Sequence, residues 1–382
     1  MRVRVHVRTH TRRHASYLEV FMSCAYTMRA FDTGYKTDNG KPLYYITKKK
    51  IGFIYKPISK EVAKSQRPEH VFTDKIINNY IEIQCGECEQ CEATRARQWM
   101  ERCVAESQLY KNNVVINLTY DDENLPKNRF VINPETGERI KAPATQFDAF
   151  EVPTIRYKDV QDFLKRLRDH WSRKYNEDSP RFVCACEYGD KRGRPHYHLI
   201  MFNMNVRDLE DHGRTPKGGR EFLSPTIQKL WGKGWVTLGE VTRESITYIA
   251  NYTLKKIKGA DAKAYYEAYG KEPESIKFSN RPGIGAEWLK AHKEELYNEG
   301  KIYIGTNNGV IEIHSNKYLD RILAQEDPER LELIKDQRKS LMESRERTRA
   351  FLSGVDVQTQ RFNDANAFHD RIKKAKVRSA IN

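Results

Sequence analysis

Apolar and polar positions alternate in several short runs of the chain and recur at helical spacing in others. "NVVINLTY" (113–120) reads as a buried strand that stops at the polar "DDENLP". "RFVCACEYG" and "PHYHLIMFNM" predict two strands joined by a turn at "DKRGR", and "GWVTLGEV" predicts another. In "YKDVQDFLKRLRDHWSRKY", Val160, Phe163, Leu164 and Leu167 fall on one side of a helix. "TRARQWMERCVAESQLY" gathers Trp99, Cys103 and Val104 on a helical face, and "ESITYIANYTLKKI" is a helix that Glu244 helps to start. "LYYITKKKIGFIYKPI", after the turn "TDNGKP", is strand-like, and 127–155 reads as a long loop around the turn "NPETGE". A charged helix from Pro328 to Phe351 closes the pattern. This order of elements predicts an α+β protein: a central antiparallel sheet with helices packed on one face. The expected divisions are 1–21, an upstream extension or disordered basic arm; 22–94, an N-terminal region with a cysteine cluster; 95–260, a nuclease core; and 261–382, a C-terminal accessory region ending in a charged helix.

The strand pattern brings chemistry to one face. His196 and His198, one residue apart, project to the same side of a strand while Tyr197 projects to the other. The connection "GDKRGRP" folds that strand back on "RFVCACEYG", so Glu187 lies beside the two histidines, with small neighbours at Val183 and Ala185 leaving room above. Two imidazoles and a carboxylate make a three-ligand set with open positions, as a catalytic Mg²⁺ or Mn²⁺ requires. A lone His-x-His pair is more often a core or surface feature; the carboxylate raises its weight. Tyr248 and Tyr252, four apart on a helix, share a face with Lys255 and Lys256 just beyond. Packing is the usual role of such a pair. Beside a metal, a phenol can instead attack a phosphodiester while a lysine offsets the developing charge. Asn117 and Thr119, on one face of their strand, are candidates to line a DNA groove.

Charge supports that direction. Lys and Arg number 67 against 52 Asp and Glu, a net charge of +15, and the 21 tyrosines and 15 phenylalanines offer stacking surfaces for a polyanion. No apolar run approaches the roughly 18 residues that cross a bilayer, so no membrane partner is expected. The first 21 residues carry five arginines and no apolar signal core.

Together "NLTYDDENLP", "CEYGDKRGRPHYHLIMF", "GEVTRESITYIANYTLKK" and "RPGIGAEWL" resemble the replication initiators of microviruses, the gokushovirus type in particular. His196-Tyr197-His198 resembles the His-hydrophobic-His motif of HUH endonucleases, and Tyr248-x-x-x-Tyr252-x-x-Lys255 their two-tyrosine motif. The resemblance runs from Met22 to about Arg330. It implies a palm-like HUH fold, origin nicking and rejoining on circular single-stranded DNA through a 5′-phosphotyrosine, and rolling-circle replication. No "GxxxxGK[ST]" motor motif is present, so a host helicase, with a host polymerase, is the expected partner.

Seven cysteines, an odd number, without a secretory signal point to the reducing cytoplasm of a bacterial host. "CGECEQC" spaces Cys85, Cys88 and Cys91 as thiolate ligands of zinc are spaced. Cys103 falls on an apolar helix face, and Cys184 and Cys186 face the sheet core. Cys24 remains as the fourth ligand, and the family resemblance also favours an early cysteine in "MSCAYTM". An iron–sulfur cluster is the alternative. Two other functions compete with the nickase: a non-catalytic zinc-bearing nucleic-acid binder and a His-x-His metal hydrolase.

Overall fold

A computed structural model describes residues 24–66, 72–143, 146, 149–175, 178–189, 192–215, 218–251, 262–306 and 309–381. The chain divides into two compact units. One takes in the residues up to Gln90 together with those from Glu343 onward; the other is Cys91–Met342.

The larger unit is organised by a seven-stranded sheet. Its strands lie in the order Glu210–Arg214, Arg220–Leu223, Val236–Glu240, Asn113–Leu118, Pro195–Phe202, Arg181–Tyr188 and Ser275–Phe278, and every neighbouring pair is antiparallel. The central strands are apolar on successive residues because both their faces are covered. On one face Ile116, Leu118, Cys184, Cys186, Tyr197, Leu199 and Met201 meet the helix Tyr157–Tyr175 through Val160, Phe163, Leu164, Leu167 and Trp171. The short helix Pro225–Trp231 adds Ile227 and Trp231 to that layer. It is started by the Ser224 hydroxyl, which accepts from the Ile227 amide, and stopped by Gly232.

The expectation of helices on one face is corrected by the other side. There Val183 pairs with Phe278, whose ring lies 4.5 Å from Trp99 of the helix Glu89–Ser107. The helix Arg243–Asn251 also lies against this side, at the strands Arg181–Tyr188 and Pro195–Phe202. Val183 and Ala185 are consequently buried and do not frame an open space. The "RPGIG" segment is built into the same unit. Glu106, a buried carboxylate, accepts from Arg181 Nε at 2.5 Å and from the Gly285 amide at 2.6 Å. Arg102 donates to the Ile284 carbonyl at 2.9 Å while its guanidinium lies over Trp99 and Tyr318. That motif is therefore held by packing and hydrogen bonds to the helix Glu89–Ser107.

Residues 127–153, read as loop, form a three-stranded sheet in the order Arg139–Lys141, Lys127–Ile132, Phe150–Pro153, with "NPETGE" turning between the first two. The smaller unit pairs Pro42–Thr47 and Tyr80–Ile83 with the two edges of Met28–Lys36, and Ile54–Pro57 with Phe72–Ile77. The strand-like run 43–58 is thus two strands in separate sheets. Beyond the helix Pro328–Leu352 lies a second, Val357–Ile381, whose Arg361 pairs with Glu346 at 2.7 Å and Glu82 at 3.2 Å. Among the described residues no helix is long and apolar enough to cross a membrane.

Candidate active site and cysteine cluster

Strand register aligns the predicted residues. Glu187 is paired with His196 and Ala185 with His198, so the carboxylate and both imidazoles project from one face. On its other side His198 is paired with Asn117, which is paired in turn with Thr237. The side chains follow that row. His198 Nε2 lies 2.8 Å from Glu187 Oε1, His198 Nδ1 lies 2.7 Å from Asn117 Oδ1, and Asn117 Nδ2 donates to Thr237 Oγ1 at 3.2 Å.

The chain of bonds fixes proton positions. With the Asn117 amide donating to Thr237, its oxygen is left to accept, so His198 carries a proton on Nδ1. Nε2 then faces a carboxylate that is only 5% exposed. A bare nitrogen lone pair against a buried anion is repulsive; the contact calls for a cation between or on them, either a second proton or a metal ion. An imidazole that gives its other N–H to a carbonyl oxygen is the usual arrangement of a metal-bound histidine.

His196 is set by a different neighbour. A Cβ at Gly189 would stand 2.7 Å from His196 Nε2, so the ring occupies space that only glycine leaves. Tyr197, between the histidines, points into the opposite layer and is fully buried. Its hydroxyl accepts from the Arg156 amide at 2.9 Å and lies 3.1 Å from that of Tyr120, which donates to Asp159 at 2.9 Å. Burial pushes both phenols well above the ordinary tyrosine range, which rules them out as nucleophiles.

Tyr248 is different. It lies on the helix Arg243–Asn251, is half-exposed, and presents its ring edge-on to His198 with centroids 5.7 Å apart. Ile246, Ile249 and Ala250 bury that helix and leave the phenol beside the imidazole. Tyr252, Lys255 and Lys256 lie outside the described residues. Thr119 donates its hydroxyl to the Trp235 carbonyl at 3.1 Å.

The cysteine segment gathers more tightly. Cys24 Sγ lies 3.5 Å from Cys85 Sγ and 3.7 Å from Cys88 Sγ; Cys91, in the first turn of the helix from Glu89, completes the group. All four sulfurs lie within 4.8 Å of one another. A tetrahedron of thiolates with bonds of about 2.3 Å to a central zinc has edges of about 3.8 Å, so the set fits such an ion. A hydrogen bond from Cys88, with help from the Cys85 amide, outweighs burial and lowers the Cys24 thiol to about 5. Burial alone pushes Cys103 up to about 12, in keeping with a core thiol. Among the described residues these four cysteines are the only set of three or more candidate ligands brought within that distance. The histidine–glutamate group is looser, its close contact being His198 with Glu187.

Reading by sequence missed the link from His198 through Asn117 to Thr237. The signal was a pair of polar residues inside otherwise apolar central strands.

The family of replication-associated protein ORF2 matches residues 144–257, a segment that holds Glu187, His196, His198 and Tyr248. The chain is 32% identical to Replication-associated protein ORF2 of Spiroplasma virus 4 over 69% of its own length and 76% of the relative's. The chain belongs to this replication-associated family. It is a replication initiator of the microvirus type. Replication-associated protein VP4 of Bdellovibrio phage phiMH2K is 28% identical, over 68% of each chain. Replication-associated protein ORF4 of Chlamydia phage 1 is 28% identical over 47% of this chain and 40% of its own. No solved structure matches the initiator.

Proposed function

We propose that this initiator is a metal-dependent HUH-type endonuclease that nicks and rejoins single-stranded origin DNA, so starting and ending rolling-circle replication. The observation that carries the reading is the half-exposed phenol of Tyr248 set against His198, an imidazole already oriented by Asn117 and facing a buried carboxylate. Glu187, His196 and His198 would hold Mg²⁺ or Mn²⁺, which when bound supplies polarisation of the scissile phosphate. The Tyr248 oxygen bonds to phosphorus and gives up its proton. The bond from phosphorus to the 3′ oxygen breaks, and that oxygen takes up a proton to become the 3′-OH primer. The product is a 5′-phosphotyrosine, and the reverse attack by a 3′-OH rejoins the strand. Tyr252 serves as the second nucleophile, Lys255 as the cation offsetting charge, and Lys256 as a backbone contact. The four cysteines hold a structural zinc. Strand separation and synthesis fall to a host helicase and polymerase in the bacterial cytoplasm.

The test is to incubate the protein with single-stranded phage DNA and Mn²⁺, then look for a denaturant-resistant adduct mapped by peptide mass spectrometry. An adduct on Tyr248 or Tyr252 supports the nickase. Tight binding without any adduct leaves the zinc-bearing DNA binder, and cleavage without an adduct leaves a hydrolase.

A further inference from the structure

Trp235 is 73% exposed, which is unusual for the largest apolar side chain in a chain with many places to bury it. It is not loose. Gln228 donates to the carbonyl of Gly234 at 2.5 Å and accepts from the amide of Val236 at 3.1 Å, gripping the backbone on both sides of the tryptophan. The Trp235 carbonyl accepts from the Thr119 amide at 3.0 Å and from its hydroxyl at 3.1 Å. Trp231 Nε1 donates to the Thr119 carbonyl at 2.7 Å, fixing that neighbour too. Gly234 has φ +145°, and a Cβ there would run into the backbone of Thr119, Tyr120 and Asp121. The chain is braced to hold an indole in solvent.

Its position follows from register. Leu118 pairs with Tyr197 on one side and Val236 on the other, all on the buried layer. One step further, the same register puts Thr119 opposite His196 and opposite Trp235, while His196 is opposite Glu187. Directly opposed residues share a face, so Glu187, His196, Thr119 and Trp235 form a row across four adjacent strands on the side of the candidate active site. Two strand spacings separate the tryptophan strand from the histidine strand, about 10 Å. One DNA strand can therefore have a phosphate at the histidines and a neighbouring base on the indole.

We propose that Trp235 is a stacking platform for a nucleobase flanking the scissile phosphate, with Thr119 lining the path between. This rests on the nickase reading of the histidine site. A rigid aromatic face loses little entropy on binding and is indifferent to base identity, which suits grip more than sequence choice.

The test uses the full chain in EDTA, which prevents cleavage, titrated with oligothymidylate while indole fluorescence and affinity are recorded. Wild type should bind with quenching. W235F should keep affinity within a few-fold but lose most of the quench. W235A should bind about 5- to 100-fold more weakly, as loss of one stacked base does. Its salt dependence should match wild type, because no phosphate contact has been removed. If W235A binds as tightly as wild type, or W235F quenches equally, the platform is refuted while the nickase reading stands, and the exposed indole belongs to a protein partner. A changed salt slope in W235A would also refute it. If wild type does not bind the oligonucleotide at all, the nickase reading fails and takes this inference with it. Should W235A misfold, the comparison of wild type with W235F still decides.

Discussion

Asn117→Ala separates two roles for one residue: lining the DNA path, as its strand position suggests, or holding His198, as its hydrogen bonds indicate. The variant removes the 2.7 Å acceptor of His198 Nδ1 and the 3.2 Å donor to Thr237. Folding should lose about 1–3 kcal/mol, since a neutral hydrogen bond contributes about 1 kcal/mol and part-buried partners are left unmatched. The larger effect should fall on metal binding. Without Asn117 the His198 ring can turn or change tautomer, and loss of such a supporting partner typically weakens metal affinity about 10- to 100-fold. That corresponds to about 1.4–2.7 kcal/mol. The assay is single-turnover nicking of an origin oligonucleotide across a Mn²⁺ titration, with oligonucleotide affinity measured separately in EDTA. The half-maximal Mn²⁺ concentration should rise about 10- to 100-fold. The rate at saturating metal should recover to near wild type, and DNA affinity should hold. An unchanged Mn²⁺ dependence with weakened DNA binding would falsify the positioning argument and return Asn117 to the groove.

Tyr248→Phe and Tyr252→Phe should each keep some single-turnover cleavage, and the double variant should form no covalent adduct; an adduct in the double variant would remove both assignments. Gly189→Ala should press on His196, whose Nε2 lies 2.7 Å from the new methyl position, and lower metal-dependent cleavage while thermal stability changes little. A large fall in melting temperature with normal cleavage would reverse that reading. Cys85→Ser or Cys88→Ser should abolish retention of about one zinc per chain and destabilise the fold without a selective catalytic defect, as metal analysis beside thermal melts would register. Leu167→Ala, in the layer behind the site, should cost about 2–5 kcal/mol in denaturant unfolding, and a cost near zero would contradict its full burial.

The core of the fold was legible where side-chain period carried it. The histidine strand, its partner from Arg181 and the helix from Tyr157 each bury one periodic set of residues, and the short turn between the strands fixed their register. Asn117 was legible as a polar interruption of an apolar strand. Its partner was not, because the strand from Asn113 meets the histidine strand 81 residues away and nothing local sets that register. Residues 127–153 escaped because their short strands are half-exposed at best apart from Phe130, which hides the alternation. The second helical layer escaped for a related reason. The helix from Glu89 begins in a polar cysteine segment, so its start is marked by thiols and not by apolar spacing. The final helix, Val357–Ile381, carries charge on most of its surface and gives no clear stripe.

The alternation His196-Tyr197-His198 has a consequence for how the protein comes apart. One strand supplies the reacting face on its even residues and, through Tyr197 and its contacts with Tyr120 and the Arg156 amide, a bolt into the densest layer on its odd ones. No partial opening can release the imidazoles without drawing that phenol from the core. Amide protons in the strand Pro195–Phe202 should therefore exchange with solvent only through global unfolding, while those of the short outer sheet around Phe130 exchange by cheaper local excursions. An initiator built this way has no separate low-stability state in which the chain is folded but the histidines are displaced. Under heat or denaturant, loss of the site and loss of the fold become one event.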